Sequence, residues 1–323
     1  MSVQQPSDMP DLSIVIVSWN TRDLVRQCLA SIEASRGELT VETFVVDNAS
    51  CDGTPAMVQK EFPGVRLMEN RSNLGFARAN NCAVRLASGK HVCLINSDVT
   101  VPPGCLQKLF DYMERNPSAG MAGPSMLTPG GTVGSSCMRR PTLRISLVQA
   151  LGLGSVFNGS TLHIENLEST GAQDVDVLNG WFWMVRRSAL DGVGLLAEDF
   201  FMYGEDIDWC HRFWSHGWRV VYLPEASAIH YGGASSSRAP IGCYIEMQRA
   251  NIQYWRRYHN VVSRGVHVLI VFLHQLLRVF GYGAVYALKP AARSEVSFKI
   301  RRSSACLGWL LGLHRKRHAV VMA

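Results

Sequence analysis

The feature that most constrains the fold of this chain is a pair of short aliphatic runs that each end at an acidic residue. Residues 44–47 read FVVD and residues 92–98 read VCLINSD. A short β-branched and aliphatic run that stops at a carboxylate is typical of a buried strand with an acid at its C-terminal end. In open α/β sheets, ligands bind just beyond such strand ends. The two runs therefore predict a ligand site that contains Asp47 and Asp98.

Segments with strand composition alternate with segments of helix composition along the chain. The strand candidates are residues 12–18, 44–47, 65–68, 91–95, 175–178, 181–185 and 218–223, and the helix candidates are residues 21–35, 54–62, 76–87, 103–115 and 205–216. This alternation is typical of βαβ units, so we expect a mostly parallel, Rossmann-like sheet flanked by helices. Residues 124–172 are rich in Gly, Ser, Pro and Thr, and we expect them to form a long loop over the ligand site.

The positive charge of the chain is concentrated at its C-terminal end. Residues 1–250 contain 20 Lys and Arg against 25 Asp and Glu, whereas residues 251–323 contain 12 against one. The net charge of +6 therefore belongs to the last quarter of the chain. This part is also apolar, which favours an anionic membrane surface over nucleic acid as its partner.

Residues 266–288 form an apolar stretch that is long enough to span a bilayer. Arg278 lies within it, and because an arginine is costly in hydrocarbon, we favour a helix that lies in the membrane interface. A pair of helices packed on the rest of the chain or in a dimer is the alternative. Nine scattered cysteines without a Cys-x-x-Cys pair indicate a reducing, cytosolic environment, and the polar N-terminus shows no secretory signal.

Seven short motifs follow one another between residues 10 and 235. They are VSWN (17–20), VVDNASCDG (45–53), NLGFARANN (73–81), INSD (95–98), NGWFWMVRR (179–187), YGEDIDWCHR (203–212) and IHY (229–231). In their order and spacing, these motifs resemble the family 2 glycosyltransferases of the GT-A fold, in the branch that includes many bacterial rhamnosyltransferases. The resemblance implies a GT-A catalytic domain, which we expect at 11–250, and composition and charge predict a flexible N-terminus at 1–10 and a membrane-associating helical tail at 251–323.

Asp47 is the residue that we expect to read the base of a nucleotide-sugar donor. An ionised carboxylate only accepts hydrogen bonds, so it pairs naturally with the N3–H of uracil or thymine. The resemblance assigns base recognition to the corresponding Asp, which favours a UDP- or dTDP-sugar. The alternative is a strand-end Asp that caps a turn through Asn48 and Ser50.

Four further residues are expected to contact the donor. They are Asn20, Asn73, Gly75 and Arg78. A helix is predicted to begin after Gly75, and the free N–H groups of a helix N-terminus attract phosphate. We expect Arg78 to reach the diphosphate or the sugar.

Asp98 and His230 are the expected metal ligands. Asp98 resembles the last acid of the Asp-x-Asp motif that holds Mg²⁺ or Mn²⁺ on the donor diphosphate, and carboxylate oxygens suit such hard cations. Asn96 stands where the first Asp often stands, and it offers an amide oxygen without charge. In some members of the family, a His at the place of His230 completes the metal shell. The alternatives are an ordinary turn Asp and a satisfied polar His.

Glu205 and Asp206 are the candidates for the catalytic base. Inverting sugar transfer needs a base that takes the proton of the acceptor hydroxyl. The resemblance assigns this role to an acid of the Glu-Asp pair, and we assign it to Asp206 with Glu205 as the alternative. Acids in the first turn of a helix also offset its dipole, which is the structural explanation. Trp181 and Trp183 are expected in the core rather than in an acceptor site.

Together these features predict a metal-dependent, inverting glycosyltransferase at the cytoplasmic face of a bacterial inner membrane. It would pass a sugar, with rhamnose as the candidate, to a lipid-linked or polysaccharide acceptor in cell-surface glycan synthesis. A non-enzymatic, membrane-bound sugar-binding or scaffold protein is favoured by Asn96 and disfavoured by the intact pair at 205–206. A sugar nucleotidyltransferase would need a Gly-rich phosphate loop after the first strand, where SWNT (18–21) stands instead.

Overall fold

The computed structural model describes residues 9–154, 162, 164, 171–233 and 239–313, which form two compact units. The sheet unit comprises the described residues of 1–139, 163–201 and 205–235, and the helical unit comprises those of 140–162, 202–204 and 236–323. The boundary predicted at residue 250 falls inside a helix, Pro240–Tyr258, of the helical unit. Most of the predicted flexible N-terminus lies outside the described residues.

The sheet unit is built on one large sheet. The strands in chain order are β1 (Leu12–Ser18), β2 (Val41–Asp47), β3 (Arg66–Glu69), β4 (His91–Asn96), β5 (Val99–Thr100), β6 (Ala119–Leu127), β7 (Cys137–Met138), β8 (Gln173–Asp174), β9 (Val177–Leu178), β10 (Phe182–Arg186) and β11 (Arg219–His230). The sheet order is β3-β2-β1-β4-β10-β6-β11-β5, and β8 pairs with β11, whereas β7 and β9 form a separate pair. Strands β3, β2, β1 and β4 run parallel, as do β6 and β11. The remaining pairs, with β5, β8 and β10, are antiparallel.

Helices cover the sheet. Those of the sheet unit are α1 (Arg22–Ser35), α2 (Thr54–Glu61), α3 (Phe76–Val84), α4 (Cys105–Arg115), α6 (Arg187–Val193) and α7 (Glu205–Ser215). Strand β1 reads LSIVIVS and is almost fully buried, as expected for a parallel strand with both faces covered. Helix α1 buries Val25, Cys28, Leu29 and Ile32, a spacing that gives it one apolar face toward the core. The predicted α/β class, with a mostly parallel sheet flanked by helices, is confirmed.

The predicted long loop at 124–172 is wrong for its described residues. Strand β6 continues to Leu127, β7 follows, and helix α5 (Leu143–Ala150) belongs to the helical unit. Strand β6 has few strand-forming residues, since it contains two glycines and Pro124. Packing explains its composition: a Cβ at Gly120 would lie 2.7 Å from side-chain atoms of Phe213 and Trp218.

Strand β11 is also longer than the predicted strand at 218–223. It continues to His230 through a register shift between Leu223 and Ser227, and Pro224 lies inside this irregularity. Proline is tolerated in sheets at such bulges, where no ladder N–H is required. The extension pairs His230 with Val99 of β5, so it carries a predicted metal ligand to the end of the sheet where Asp98 lies.

The helical unit consists of α5 together with α8 (Pro240–Tyr258), α9 (Val261–Leu288) and α10 (Arg293–Leu310). Helix α9 packs against the other three. Its N-cap is Asn260, whose side chain accepts a hydrogen bond from the N–H of Ser263 at 2.9 Å. By length and composition, α9 is able to cross a membrane.

Helix α9 buries polar side chains and exposes apolar ones, the inverse of an ordinary surface helix. Its buried residues are His267, Val271 and Gln275. Its exposed face carries an unbroken row of apolar side chains, each between 41% and 75% exposed, which we call the outer stripe: Val262, Val266, Leu269, Leu273, Leu277 and Phe280. Successive members are three or four residues apart and therefore lie on one side of the helix.

Candidate active site

The strand register brings Asp47 and Asn96 to the same edge of the sheet. Ser18, the last residue of β1, is the partner of Asp47 on β2, and Val17 is the partner of Asn96 on β4. Two strand spacings of about 4.8 Å separate β2 from β4, so these residues lie about 10 Å apart. The hydroxyl of Thr21 donates to that of Ser97 at 3.0 Å and connects the segments that follow β1 and β4.

Asp47 combines a structural contact with an unused acceptor. Its side chain is buried, and Oδ2 accepts the N–H of Ser50 at 2.8 Å. Oδ1 is also buried but has no hydrogen-bond partner among the described residues. Because an unpaired buried carboxylate oxygen is costly, this atom is suited to accept a hydrogen bond from a ligand. The turn-capping alternative thus applies to one oxygen only.

Asn20 shapes the loop that follows Asp47. Its N–H donates to Ser50 Oγ at 2.8 Å, and its Oδ1 accepts the N–H of Cys51 at 2.7 Å. Asn20 has φ of 55° and Ala49 has φ of 63°, values that residues with a Cβ rarely adopt. Backbone strain of this kind is common at ligand sites, where the surroundings enforce it. A direct contact of Asn20 with the donor stays a prediction.

Asp98 and His230 lie together at the end of β4. Oδ1 of Asp98 is 3.2 Å from Nε2 of His230, and the Tyr231 N–H donates to the Asp98 carbonyl oxygen at 3.0 Å. The ring of His230 stacks on Trp181, with centroids 5.4 Å apart and planes 14° from parallel. The stack fixes the orientation of the imidazole relative to the carboxylate.

The two side chains fit a divalent metal as a partial ligand set. The described residues contain no group of three or more His, Cys, Asp or Glu side chains that could hold an ion. Mg²⁺ commonly binds proteins through one or two carboxylates and takes its other ligands from phosphates and water. Asp98 and His230 therefore suit a metal that arrives with a diphosphate.

The main-chain groups of Asn96 form hydrogen bonds with Trp181 and Cys28 beside this site. Its N–H donates to the Trp181 carbonyl oxygen at 3.0 Å, and its carbonyl oxygen accepts the thiol of Cys28 at 3.8 Å. Burial and the nearby charge of Asp98 raise the pKa of the Cys28 thiol to about 12, so the group stays protonated. The Asn96 side chain makes no hydrogen bond to a described residue, and its contact with donor or metal stays a prediction.

Asp206 reaches the same edge from the start of α7. A Cβ built on Gly180 would lie 3.6 Å from Cβ of Asp206, so this Asp packs beside the residue that precedes Trp181. Oδ1 of Asp206 accepts the N–H of Ile207 at 2.8 Å, and Glu205 is buried. Through residues 180 and 181, Asp206 is thus close in space to Asn96.

The structure does not support one expectation for the start of α3. The first N–H of the helix, that of Phe76, donates to the Phe201 carbonyl oxygen at 2.7 Å, so it is not free for phosphate as predicted. Oδ1 of Asn73 accepts the N–H of Gly75 at 3.0 Å, and Nε of Arg78 donates to the Glu198 carbonyl oxygen at 3.0 Å. Each predicted donor contact here has a structural role, and a role in donor binding stays a prediction.

Known proteins resemble the chain in sequence and in fold. Residues 13–194 match the model of the family "Glycosyl transferase family 2". The chain is 31% identical over 267 residues to N-acetylglucosaminyl-diphospho-decaprenol L-rhamnosyltransferase of Mycobacterium tuberculosis, covering 76% of this chain and 86% of that protein. It is 22% identical over 230 residues to the low-salt glycan biosynthesis hexosyltransferase Agl10 of Haloferax volcanii, covering 70% of this chain and 69% of that one.

Among solved structures, the mannosyltransferase PcManGT from Pyrobaculum calidifontis, in complex with GDP-Man and Mn²⁺, has the same fold. The TM-score is 0.53 at 17% identity, and the match covers 97% of this chain and 90% of that one. The GT-A fold agrees with the match to the family model and with the identity to the rhamnosyltransferase. The chain is a glycosyltransferase and belongs to glycosyl transferase family 2.

Proposed function

We propose that this protein is an inverting transferase that moves rhamnose from a dTDP- or UDP-sugar to a lipid-linked acceptor in cell-surface glycan synthesis. The proposal is supported by the strand register, which has Asp47 and Asn96 at one sheet edge, and by the contact of Asp206 with residue 180, whose neighbour Trp181 accepts a hydrogen bond from Asn96. The similarity to an enzyme named for rhamnose and for a diphospho-decaprenol acceptor supports the choice of sugar and acceptor.

Donor recognition would use the free oxygen of Asp47. A buried carboxylate oxygen matches the N3–H donor of uracil or thymine and repels a base that presents only acceptors there. Asp98 and His230 would hold Mg²⁺ or Mn²⁺, which when bound neutralises charge on the donor diphosphate. Asn96 is proposed as a further contact with the donor or the metal.

Asp206 is the proposed catalytic base. It would accept the proton of the acceptor hydroxyl while the hydroxyl oxygen bonds to the anomeric carbon of the sugar. At the same time the bond from that carbon to the diphosphate oxygen breaks, and the nucleoside diphosphate leaves with the electron pair. Attack from the face opposite the leaving group inverts the anomeric configuration.

The acceptor and the outer stripe of α9 both favour attachment to a membrane. A lipid-linked acceptor is anchored in a bilayer, and an exposed apolar helix face next to many basic residues suits the interface of an anionic membrane. Arg278 and the buried polar side chains of α9 disfavour a span through hydrocarbon. We therefore propose a peripheral or monotopic enzyme on the cytoplasmic face of the inner membrane.

The decisive test replaces the proposed base. Asp206→Asn is expected to lower the transfer rate by about 10²–10⁴-fold, because the acceptor proton has no acceptor group, while dTDP binding stays unchanged. Asp191→Asn, at an exposed position of α6, makes the same charge change and should leave transfer intact. Undiminished transfer by Asp206→Asn, or a larger loss in Glu205→Gln, would contradict the assignment.

Base selectivity tests the role of Asp47 separately. The full-length protein is titrated with UDP, dTDP, GDP and CDP in the presence of Mn²⁺. UDP and dTDP should bind more tightly than the other two, and Asp47→Asn should remove this preference. A preference for GDP would exclude the proposed pairing with N3–H.

A further inference from the structure

The helical unit contains a cluster of positively charged side chains that the proposed sugar transfer does not use. We call it the basic cluster: Arg278 of α9 and Lys299 and Arg302 of α10, with Tyr282 of α9 among them. Tyr282 contacts two of the three cations. The Arg278 guanidinium carbon and the Lys299 Nζ each lie 5.5 Å from the centre of its ring.

Arg278 is held by neutral partners. It donates from Nη1 to His274 Nε2 at 3.2 Å and from Nη2 to the Tyr282 hydroxyl at 3.1 Å. Nδ1 of His274 lies 2.9 Å from the Ala150 carbonyl oxygen, so the proton sits on Nδ1 and Nε2 is the acceptor. Burial, together with the charges of Arg278 and Arg302, lowers the pKa of His274. The histidine therefore accepts a hydrogen bond from Arg278 and supplies no negative charge.

Arg302 has N–H donors that no described residue accepts. Its guanidinium carbon lies 4.5 Å from the centre of the Tyr244 ring, and it donates no hydrogen bond to a described residue. Its Nε is buried and without a partner in the described part of the chain. A guanidinium carries five N–H donors, and a buried donor without a partner is costly.

Carboxylates do not balance this charge within the described helical unit. The described residues of this unit include two acids, Glu246 and Glu295. Glu295 pairs with Lys299, and Glu246 lies 3.2 Å from Arg249. Neither forms an ion pair with Arg278 or Arg302 among the described residues. The two guanidinium groups are thus partly buried without a counter-charge from the described acids of this unit, an arrangement that an external anion would stabilise.

We infer that the basic cluster binds the phosphate or diphosphate group of a ligand between α9 and α10. Guanidinium groups bind phosphate oxygens through paired N–H donors, and the ammonium of Lys299, which also pairs with Glu295, and the phenol of Tyr282 add further donors. The site lies in the helical unit and uses none of the carboxylates assigned to sugar transfer. The inference can therefore be tested independently of the proposed function.

The phosphate group has two possible sources, a lipid headgroup and a soluble phosphate compound. A titration with inorganic pyrophosphate tests the soluble source, with EDTA present and ionic strength held constant by chloride. Sedimentation with phosphatidylcholine vesicles, with and without phosphatidic acid, tests the headgroup. Binding to pyrophosphate assigns a soluble ligand, and a preference for phosphatidic acid vesicles alone assigns a lipid.

In whichever assay shows binding, Arg302→Gln should weaken it by about tenfold or more, equal to about 1.4 kcal/mol. The matched control is Arg301→Gln, which removes the same charge from the neighbouring, exposed position of α10 and should change binding by less than about twofold. Arg302→Lys keeps the charge but not the paired donors, and it should fall between the two. If Arg302→Gln does not fold, as judged by its melting curve, Arg278→Gln takes its place.

Two results would overturn the inference. One is that the wild-type protein neither binds pyrophosphate nor distinguishes the two kinds of vesicle. The other is an equal loss of binding in Arg301→Gln and Arg302→Gln, which would show general attraction to a basic helix. Titration with dTDP, which should be unaffected by Arg302→Gln, separates this site from the donor site.

Discussion

At the scale of single residues, Gly75 lies where two segments of the sheet unit come into close contact. It has φ of +82°, and a Cβ at this position would lie 2.3 Å from the carbonyl oxygen of Phe201. The same oxygen accepts the N–H of Phe76. The glycine therefore lets the segment that leads into α7 approach the start of α3, and the loop conformation depends on it.

We expect Gly75→Ala to destabilise the protein more than a positive φ alone would. Gly37→Ala is the matched control, because Gly37 has φ of +57° with nothing within 4 Å of the added Cβ. The control should cost about 1–2 kcal/mol of unfolding free energy from backbone strain. The steric overlap at Gly75 should add about 1–3 kcal/mol. Urea denaturation of both variants measures the difference, and equal values would show that the loop relaxes.

The sequence predicts a site residue well when a local strand pattern determines its position, and poorly when a bulge or a main-chain contact does. Asp47 ends an aliphatic strand and Asp98 follows one by two residues, a pattern visible in the sequence, and the strand register has Asp47 and Asn96 at the same sheet edge. The approach of His230 to Asp98 depends on a bulge that periodicity does not reveal. Trp181, expected in the core, is buried but also contacts the site through its ring and its carbonyl oxygen, and main-chain contacts leave no pattern in the sequence.

At the scale of elements, α7 is anchored by one buried ion pair. Asp208 has a fully buried side chain and lies 2.9 Å from Nε of Arg212, one turn later in the helix. The Arg212 guanidinium also donates to the carbonyl oxygens of Val193 and Leu195 at 2.6 Å and 2.8 Å. The arginine thus joins the helix that carries Asp206 to the end of α6.

Loss of the ion pair between Asp208 and Arg212 should lower the stability of the protein. Arg212→Met is expected to lower the unfolding free energy by about 3–5 kcal/mol, because it leaves the carboxylate of Asp208 buried without its cation. The control is Arg115→Met in α4, which is exposed and has a half-exposed i,i+4 partner, Asp111, and it should cost less than about 1 kcal/mol. Chemical denaturation compares the two. A small effect at Arg212 would mean that water or a shifted side chain replaces the pair.

Elements with strong local signals are predicted better than those defined by packing. Strands β1, β2 and β4 are aliphatic and β-branched, and their positions follow from composition. Strand β6 is central in the sheet but contains Gly120, Gly123 and Pro124, and neighbouring atoms leave little room for a larger side chain at the two glycines. Such a strand is recognisable only when the neighbouring strands and helices are known.

At the scale of the whole molecule, the inverted polarity of α9 separates the helical unit from an ordinary soluble bundle. A helix on the surface of a soluble protein turns its apolar side inward. In α9, His267 and Gln275 are buried, whereas the outer stripe is exposed. Contiguous exposed apolar surface of this kind marks an interaction site, and the basic flanks favour anionic lipid.

Vesicle binding tests this surface with a matched pair of leucines. Leu277 of the outer stripe and Leu86 of the sheet unit are each 58% exposed. Leu277→Glu should reduce partitioning onto vesicles of phosphatidylcholine and phosphatidylglycerol by about tenfold or more, since insertion of a leucine contributes about 1.5–3 kcal/mol. Leu86→Glu should have no such effect. Equal partitioning of the two variants would exclude the outer stripe as the lipid contact.

The outer stripe also bears on how the enzyme would meet its acceptor. A helix that lies in the plane of a bilayer allows the protein to diffuse laterally, and an acceptor with a lipid anchor diffuses in the same two dimensions. The effective concentration of the acceptor is then set by its density on the surface and not by its amount per volume. Weak intrinsic affinity for the acceptor would suffice under these conditions, because geometry alone keeps the two molecules near each other.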